Sequence, residues 1–335
     1  MSWDVWGHEW AERILKRHIE SGKTRHAYLF TGAPGIGRRT LALRFIKALD
    51  CLNPPAPGEY CGECRNCRQI ERMQHPDLVL GSAETEGGSF KVDTVRAIQH
   101  DLNMMPYTAP WRSALLLRFE EANASSQNAL LKTLEEPPER SKLFITASNE
   151  NALLPTIGSR CEVIRLRPMA IAELQEALIT KKGMDPEMAR RTAHISAGRA
   201  GYALRLADDP DELARIVGIA SDGLDLLESE LPSRFKYAER FKDVKRRGEL
   251  RETMMIWQSL FRDLMLIASE KTAGAELPIS YVDLESELTA AAVKQTPETW
   301  RKCISEMNRL IGYLNANANL QLLTETLLLD WPRQM

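Results

Sequence analysis

The sequence contains no long apolar run and no strong excess of either charge. None of its hydrophobic stretches approaches the roughly 20 residues that a membrane-spanning helix needs. The segment Met1–Lys16 has scattered charges and no continuous apolar core, so it does not resemble a signal peptide. The formal net charge is −2, which gives no overall electrostatic attraction to DNA. We therefore expect a cytoplasmic protein with no membrane partner, whose contacts with nucleic acid come from a local patch or from partner subunits.

Cysteine is also scarce in most of the chain. Four of the six cysteines lie between Cys51 and Cys67, a distribution that does not suit a disulfide framework in a chain of 335 residues. Hydrophobic residues make up 44% and charged residues 27%, as is typical of a soluble globular protein with a sizeable core. At usual domain sizes, this length predicts about two or three domains.

The first half of the sequence alternates short apolar runs with helical patterns. This alternation is typical of an α/β domain with a parallel sheet. The predicted strands are Ala27–Thr31, Leu78–Gly81, Ala114–Phe119, Leu143–Ala147 and Glu162–Leu166. The predicted helices between them include Arg39–Asp50, Val92–Met104 and Ser126–Glu135.

From Pro168 onward the strand signals nearly vanish. Residues 169–207 have the pattern of short helices, and the remainder is predicted to be all-helical. Two apolar stripes repeat at helical spacings of three and four residues, and core packing explains both. Their members are Leu250, Met254, Trp257, Phe261 and Leu264, and Trp300, Ile304, Met307, Ile311 and Leu314. A basic stretch, Arg234–Arg251, is interpreted as a solvated helix face, with contact to DNA as the alternative.

A glycine-rich loop follows the first predicted strand and precedes a helix, which is the context of a P-loop. In such loops the backbone N–H groups bind phosphate, a lysine contacts it, and a Ser or Thr hydroxyl binds Mg²⁺. The candidate nucleotide-binding residues are Gly32, Gly35, Gly37, Arg38, Arg39 and Thr40. Arg38 and Arg39 occupy the positions of the lysine and the hydroxyl residue. Because a guanidinium does not replace an ammonium freely and cannot bind a metal ion, we interpret the loop as retained for the fold without catalysis.

A second nucleotide-binding element is also altered. Glu120 and Glu121 follow the predicted strand Ala114–Phe119, where an ATPase of this class usually carries Asp-Glu to hold Mg²⁺. The pair is either a weakened magnesium site or solvated charge at the end of a strand, and we favour solvated charge.

The clustered cysteines have the spacing of a metal site. Cys51, Cys61, Cys64 and Cys67 form the pattern C-x9-C-x2-C-x2-C, in which four sulfur atoms can converge on one ion. A redox pair needs only two cysteines, an iron–sulfur cluster usually has its fourth cysteine downstream and before a proline, and four free thiols so close together are improbable. We favour a closed, structural zinc site.

Three stretches resemble subunits of the bacterial DNA polymerase III clamp loaders, which are AAA+ proteins. Asn128–Pro138 is similar to the signature helix of this family, and Ser159-Arg160-Cys161 resembles its Ser-Arg-Cys motif. The insertion of four cysteines after the P-loop helix is similar to its zinc module. The resemblance is dense over residues 7–168 and weaker beyond them.

The resemblance implies both an architecture and a set of partners. The architecture is a RecA-like AAA+ domain with a parallel sheet over residues 1–168, including the zinc module at 51–67, a small helical lid domain over 169–209 and a helical collar domain over 210–335. The implied partners are delta and three gamma/tau copies in a five-subunit ring, the beta sliding clamp that the ring opens, and primed DNA on which the clamp is placed.

The family contains both active and inactive ATP sites. Its gamma/tau subunits hydrolyse ATP, whereas another subunit lends the arginine of its Ser-Arg-Cys motif to the neighbouring ATP site. Arg38 and Arg39 place this chain with the second kind. So does Gly201, because active subunits of the family carry a nucleotide-sensing arginine at that position.

The resemblance therefore implies that Arg160, flanked by Ser159 and Cys161, acts in trans and that the working ATP is bound by the neighbour. The chain alone is not expected to be an enzyme. Three alternatives stay open: an independent P-loop ATPase or kinase, a gamma/tau-like subunit that binds ATP, and a scaffold in which Arg160 is idle.

Overall fold

The structure is a computed structural model that describes residues 3–83, 88–269, 278–314 and 318–332. The chain divides into two compact units. One contains Met1–Met169 and Arg199–Tyr202, and the other contains Ala170–Gly198 and Ala203–Met335. Most of the expected lid and all of the expected collar share the second unit, so a domain boundary at residue 209 stays a prediction.

A five-stranded parallel sheet forms the centre of the first unit. Its strands are β1 (Ala27–Thr31), β2 (Leu78–Gly81), β3 (Arg112–Leu116), β4 (Ser141–Ala147) and β5 (Glu162–Arg165). Their order across the sheet is β2-β3-β4-β1-β5, and each pairing is parallel. The helices of this unit are α1 (Glu9–Glu20), α2 (Arg38–Asp50), α3 (Arg65–Glu71), α4 (Val92–Leu102), α5 (Ala124–Glu135) and α6 (Pro155–Gly158).

Helices cover both faces of this sheet. Strands β1 and β4 are buried along their whole length, as expected for central strands of a parallel sheet. Alternate residues of a strand face opposite sides. Tyr28 and Phe30 accordingly belong to one hydrophobic cluster, with Phe45 of α2, whereas Leu29 belongs to another, with Leu130 of α5. The helices α2 and α5 therefore cover opposite faces.

The observed boundaries confirm most of the predicted elements within two residues. The predicted strand Ala114–Phe119 is wrong at both ends, since β3 begins at Arg112 and ends at Leu116. Arg118 has a left-handed backbone conformation with φ of 51°, and a short 3₁₀ turn follows at Phe119–Glu121. The backbone thus leaves the extended conformation before it reaches the two glutamates.

The second unit is helical in its regular secondary structure, as far as the described residues extend. Its helices are α7 (Ile171–Lys182), α8 (Pro186–Ile195), α9 (Ala200–Asp208, whose first turn belongs to the first unit), α10 (Pro210–Glu228), α11 (Leu231–Ala238), α12 (Arg247–Ser269), α13 (Glu285–Ala292), α14 (Pro297–Leu314) and α15 (Leu320–Asp330). The parallel sheet flanked by helices and the helical second unit confirm the expected α/β fold followed by helical structure. None of the described helices is both long and apolar enough to span a membrane.

The two apolar stripes lie in the core, as predicted. The first stripe, on α12, is fully buried at all five positions. On α14, Trp300, Met307 and Leu314 are buried, whereas Ile304 and Ile311 are half-buried. Core packing therefore accounts for both patterns.

The basic stretch contains one buried arginine and several ion pairs. Arg234 is fully buried and donates hydrogen bonds to the carbonyls of Leu226, Leu227, Leu328 and Trp331. These carbonyls lie at the C-terminal ends of α10 and α15, where helix dipoles favour a cation. Further along the stretch, ion pairs join Arg240 to Asp222, Lys242 to Glu239 and Arg246 to Glu249. Arg234 is therefore part of the core instead of a solvated face.

Candidate functional site

The glycine loop connects β1 to α2, in the strand–loop–helix arrangement of a P-loop. Gly35 and Gly37 have φ values of 78° and 111°, in the left-handed region that glycine adopts without a steric penalty. The N–H of Gly32 donates a hydrogen bond to the carbonyl of Ala147 at 3.2 Å, which fixes the start of the loop to β4.

Arg38 occupies the lysine position of the loop and is only 8% exposed. Its Nη1 lies 3.7 Å from Oε1 of Glu120. Burial lowers the pKa of the Arg38 guanidinium, and Glu120 acts in the opposite direction. Among the described residues, neither Nη1 of Arg38 nor Oε2 of Glu120 has a hydrogen-bond partner. Arg39 and Thr40, the next two residues, are exposed.

The acidic pair does not have the environment expected of solvated charge. The side chains of Glu120 and Glu121 are 20% and 11% exposed, and Glu121 forms an ion pair with Arg118 at 3.0 Å. Our interpretation as solvated charge is therefore wrong. The interpretation placed Glu120 directly after a strand, whereas Glu120 lies in a 3₁₀ turn and within 3.7 Å of Arg38.

The segment Arg199–Tyr202, which includes the first turn of α9, packs on the glycine loop. The backbone N–H of Tyr202 donates to the carbonyl of Gly35 at 2.7 Å. A Cβ atom at position 201 would lie 2.8 Å from the same carbonyl oxygen. Any side chain at this position would therefore require the loop to shift, which explains why Gly201 is found here. Sequence reasoning identified Gly201 but missed Tyr202, whose contact is made through its backbone.

The four cysteines come together where α2 ends. The sulfur atoms of Cys51, Cys61, Cys64 and Cys67 all lie within 4.8 Å of one another, and those of Cys51 and Cys61 are 3.6 Å apart. A tetrahedral ion with Zn–S bonds of about 2.3 Å requires sulfur separations of about 3.8 Å. The cluster therefore has the donor set and the size to bind a metal ion.

Backbone hydrogen bonds prepare this cluster for a cation. The N–H groups of Cys61, Cys64 and Cys67 donate to the sulfurs of Cys51, Cys61 and Cys64 at 3.3, 3.3 and 3.4 Å. Burial raises the pKa of the Cys51 and Cys67 thiols. At Cys64 burial acts in the same direction, but backbone N–H groups, including that of Cys67, outweigh it and lower the pKa of the thiol to about 7. Cys64 can therefore supply a thiolate near neutral pH.

Two further hydrogen bonds hold the loop between Cys51 and Cys61 and the segment between Cys64 and Cys67 in place. Nε1 of Trp3 donates to the carbonyl of Gly58 at 3.0 Å, inside the loop that leads from the first cysteine to the second. Nδ2 of Asn66, which is buried between the last two cysteines, donates to the carbonyl of Asp50 at 2.9 Å. Sequence reasoning missed Trp3 and Asn66, because contacts between residues far apart in the chain leave no local pattern.

Ser159, Arg160 and Cys161 form the connection between α6 and β5. Nη2 of Arg160 lies 2.7 Å from Oε1 of Glu135, and Nη1 donates to the carbonyl of Thr156 at 3.1 Å. Burial raises the pKa of the Cys161 thiol to about 12, so this thiol is unreactive at neutral pH. Ser159 and Cys161 line an open surface cavity of about 650 Å³.

Arg160 and the glycine loop lie at opposite ends of the parallel strands. Strands β1 and β5 pair in parallel, with Tyr28 opposite Glu162 and Thr31 opposite Arg165. Arg160 precedes β5, whereas the loop follows β1. The paired residues between these ends add roughly 10 Å at the usual rise of a strand. The sheet therefore keeps Arg160 away from the P-loop of its own chain.

Comparison with known proteins identifies relatives for nearly the whole chain. Residues 7–170 match the sequence family described as DNA polymerase III, delta subunit. DNA polymerase III subunit delta' of Bacillus subtilis is 28% identical, over 95% of this chain and 94% of its own length. The delta' subunit of Pseudomonas aeruginosa is 32% identical, over 54% of this chain and 60% of its own length.

Tau and gamma subunits form a second group of relatives. DNA polymerase III subunit tau/gamma of Haemophilus influenzae is 32% identical over 61% of this chain, but this chain covers only 30% of that protein. The similarity to the Bacillus subtilis delta' subunit therefore spans both chains almost completely. The gamma subunit of Buchnera aphidicola, 26% identical over 97% of this chain and 88% of its own length, is also similar over nearly the whole chain.

Proposed function

The chain belongs to the bacterial DNA polymerase III clamp-loader family, as a delta-prime-type subunit, and we propose that it lends Arg160 to the ATP site of an adjacent subunit instead of hydrolysing ATP itself. The observation that carries this proposal is the separation of Arg160 from the glycine loop by the length of β1 and β5. If Arg160 stabilises phosphoryl transfer, the nucleotide it contacts must be bound by another molecule.

Three features support the loss of hydrolysis at this chain's own loop. Arg38 is paired with Glu120, so the cation and the acidic element of the site engage each other. Arg39 stands where a hydroxyl would bind Mg²⁺, and a guanidinium repels a metal ion. Gly201 lies against Gly35 and offers no side chain that could contact a nucleotide.

Arg160 has the chemistry that a trans-acting arginine requires. Phosphoryl transfer from ATP to water spreads charge over the γ-phosphate oxygens, and a guanidinium held against them increases the rate by roughly 10³–10⁵ in related enzymes. Arginine stays charged and presents several donors in one plane. The Arg160 side chain is 35% exposed, so it is accessible to a neighbouring subunit.

The same proposal includes one structural zinc ion held by Cys51, Cys61, Cys64 and Cys67. The compact arrangement of four sulfur donors supports it. With four protein ligands, a zinc ion has no open position for water, so it would stabilise the module and take no part in chemistry. The site lies between α2 and α3, and α2 begins at the altered P-loop.

Within the clamp loader, the proposed partners of this chain are gamma/tau, which supplies the adjacent ATP site, and delta. The assembled ring would open the beta sliding clamp and place it on primed DNA in the cytoplasm. Arg240, Lys242 and Arg246, which precede α12, form ion pairs within the chain, so we assign contact with DNA to the assembled ring.

Steady-state ATP hydrolysis by the reconstituted ring tests the proposal. The ring contains this chain, gamma/tau and delta, with beta clamp and primed DNA added. Arg160→Ala is expected to lower kcat by at least about a third while KM for ATP changes little, because the lost contact acts mainly in the transition state and one of three sites is affected.

A matched control is available on β5, the strand that follows Arg160 in the chain. Arg165 is also exposed and forms an ion pair, with Glu150 at 2.5 Å, so Arg165→Ala removes a similar charge. It is expected to leave kcat unchanged. Equal effects of the two replacements, or no effect of Arg160→Ala in a ring shown to be intact by size-exclusion chromatography, would contradict the proposal.

A second candidate function is a gamma/tau-like subunit that binds ATP without hydrolysing it efficiently. The similarity to tau/gamma over 61% of the chain favours this alternative. Equilibrium titration of the isolated chain with a fluorescent ATP analogue distinguishes the two. Binding that Arg38→Ala abolishes supports the alternative, whereas no saturable binding supports a purely trans-acting subunit.

A further inference from the structure

The guanidinium of Arg160 is held by its own chain on two sides. Glu135 contacts Nη2 at 2.7 Å, while Nη1 donates to the carbonyl of Thr156 at 3.1 Å and lies 3.5 Å from Oγ of Ser159. Both Nη atoms are therefore engaged within the chain. To contact a phosphate of a neighbouring subunit, the guanidinium must exchange at least one of these partners.

Glu135 occupies a helix position that disfavours a carboxylate. It is the last residue of α5, where the negative end of the helix dipole repels an anion. Its side chain is 51% exposed, so packing in the core does not explain its presence. Arg160 supplies the opposite charge at this point.

We propose that Glu135 is a positioning residue that restrains Arg160 in the resting subunit, and that ATP bound by the neighbour competes with Glu135 for the guanidinium. This inference rests on the proposed trans role of Arg160. A carboxylate and a phosphate both form charge-assisted hydrogen bonds with arginine, and a phosphate offers more oxygens and more charge. The contact with Glu135 is solvent-exposed and therefore weak enough to exchange.

The restraint has a consequence for the rate of hydrolysis. Removal of Glu135 leaves Arg160 free to reach the neighbouring site without first breaking an ion pair. Because a solvent-exposed pair restrains a side chain only weakly, the rate at that site is expected to rise by about two- to five-fold. If one of three sites in the ring is affected and the others are unchanged, the rate of the whole ring rises by about 1.3- to 2.3-fold.

Hydrolysis by the reconstituted ring with Glu135→Ala measures this effect. We expect kcat of the ring to rise by about 1.3- to 2.3-fold, with KM for ATP nearly unchanged. The gain is expected to shrink as salt is added, since salt screens exposed charges. Glu136→Ala is the matched control, because Glu136 is the adjacent exposed carboxylate. It is expected to have no effect. Thermal unfolding of each variant shows whether the fold is kept.

The double variant Glu135→Ala with Arg160→Ala separates the two proposals. If Glu135 acts through Arg160, its removal has no effect once Arg160 is absent. An unchanged or lower rate with Glu135→Ala, the same gain with Glu136→Ala, or a gain that persists without Arg160 overturns the inference. If Arg160→Ala lowers the rate but Glu135→Ala does not raise it, only this inference is wrong. If Arg160→Ala has no effect, the proposed function is wrong as well.

Discussion

The guanidinium of Arg38 lies 3.7 Å from the carboxylate of Glu120. In an active P-loop protein, the residues at these two positions act on the phosphates and on Mg²⁺. Here both side chains are largely buried and face each other, so neither is available in the geometry that hydrolysis requires. The pairing gives the altered loop a structural role, namely to hold the start of α2 next to the turn that follows β3.

The isolated chain is expected to hydrolyse ATP no faster than a blank. The double replacement Arg38→Lys with Arg39→Thr is not expected to restore activity, because Gly201 still offers no side chain to the nucleotide. The rate of phosphate release from Mg-ATP measures hydrolysis by the purified chain and by the double variant. Turnover that disappears on Arg38→Ala would mean that the loop is catalytic.

One zinc ion is expected per chain. Elemental analysis of protein purified without chelator measures the metal, and Cys64→Ser is expected to reduce both the zinc content and the melting temperature, because metal binding contributes directly to stability. Cys303→Ala removes a thiol in the second unit, outside the cluster, and is expected to leave the zinc content at one. Iron in place of zinc, or no metal at all, would rule out the assignment.

Trp3 is expected to slow the loss of the metal ion. Its side chain is fully buried and its Nε1 bonds to the carbonyl of Gly58, so Trp3→Ala frees the loop between the first two cysteines. Replacing a buried tryptophan by alanine typically costs about 3–5 kcal/mol. We expect faster transfer of zinc to a colorimetric chelator. Trp10→Ala, at a site that is 37% exposed, is the control, and equal rates for the two variants would contradict this role.

The carboxylate of Asp77 is stabilised in its charged form. Burial raises its pKa, but backbone hydrogen bonds and Arg112 outweigh this effect and hold the pKa at about 2, below the ordinary value of 3.8. The donors are the N–H groups of Tyr107, Thr108 and Ala109, at 2.7, 2.7 and 2.9 Å. Since the folded-state pKa is depressed, Asp77 stabilises the fold above about pH 4, and this contribution is lost as the pH falls towards 2.

Replacement of Asp77 by asparagine is therefore expected to have a pH-dependent effect. The difference between pKa values of 3.8 and about 2 corresponds to about 2 kcal/mol. Asp77→Asn should lower the free energy of unfolding by about this amount at pH 7 and by about half as much near pH 3. Urea denaturation of metal-free protein measures it, with Asp93→Asn, on the surface of α4, as the control. A difference that stays constant between pH 7 and pH 3 would contradict the account.

Local patterns in the sequence predict much of this molecule. Strand β1, the glycine loop and α2 follow from a buried apolar run, the glycines and a helical pattern, all within one segment. The four cysteines are close in sequence, so their spacing alone indicates that their sulfur atoms can meet. The buried stripes of α12 and α14 likewise follow from helical periodicity, which depends only on residues a turn apart.

Contacts between distant segments could not be predicted in the same way. The environment of Glu120 depends on the left-handed conformation of Arg118, which is uncommon for a residue other than glycine. The pairing of Arg160 with Glu135 and the bond from Trp3 to Gly58 join residues brought together only by the complete fold. These contacts determine how the candidate sites are positioned, and they became visible only in the structure.

In the proposed function, Arg160 completes an ATP site that belongs to a neighbouring subunit. Pre-steady-state hydrolysis by the reconstituted ring tests it most directly, because it counts the sites that react rapidly. With Arg160→Ala, one of three sites is expected to slow by roughly 10³-fold or more, so the amplitude of the fast phase falls by about a third while its rate constant is unchanged. A fast phase of full amplitude in an intact Arg160→Ala ring would contradict the claim.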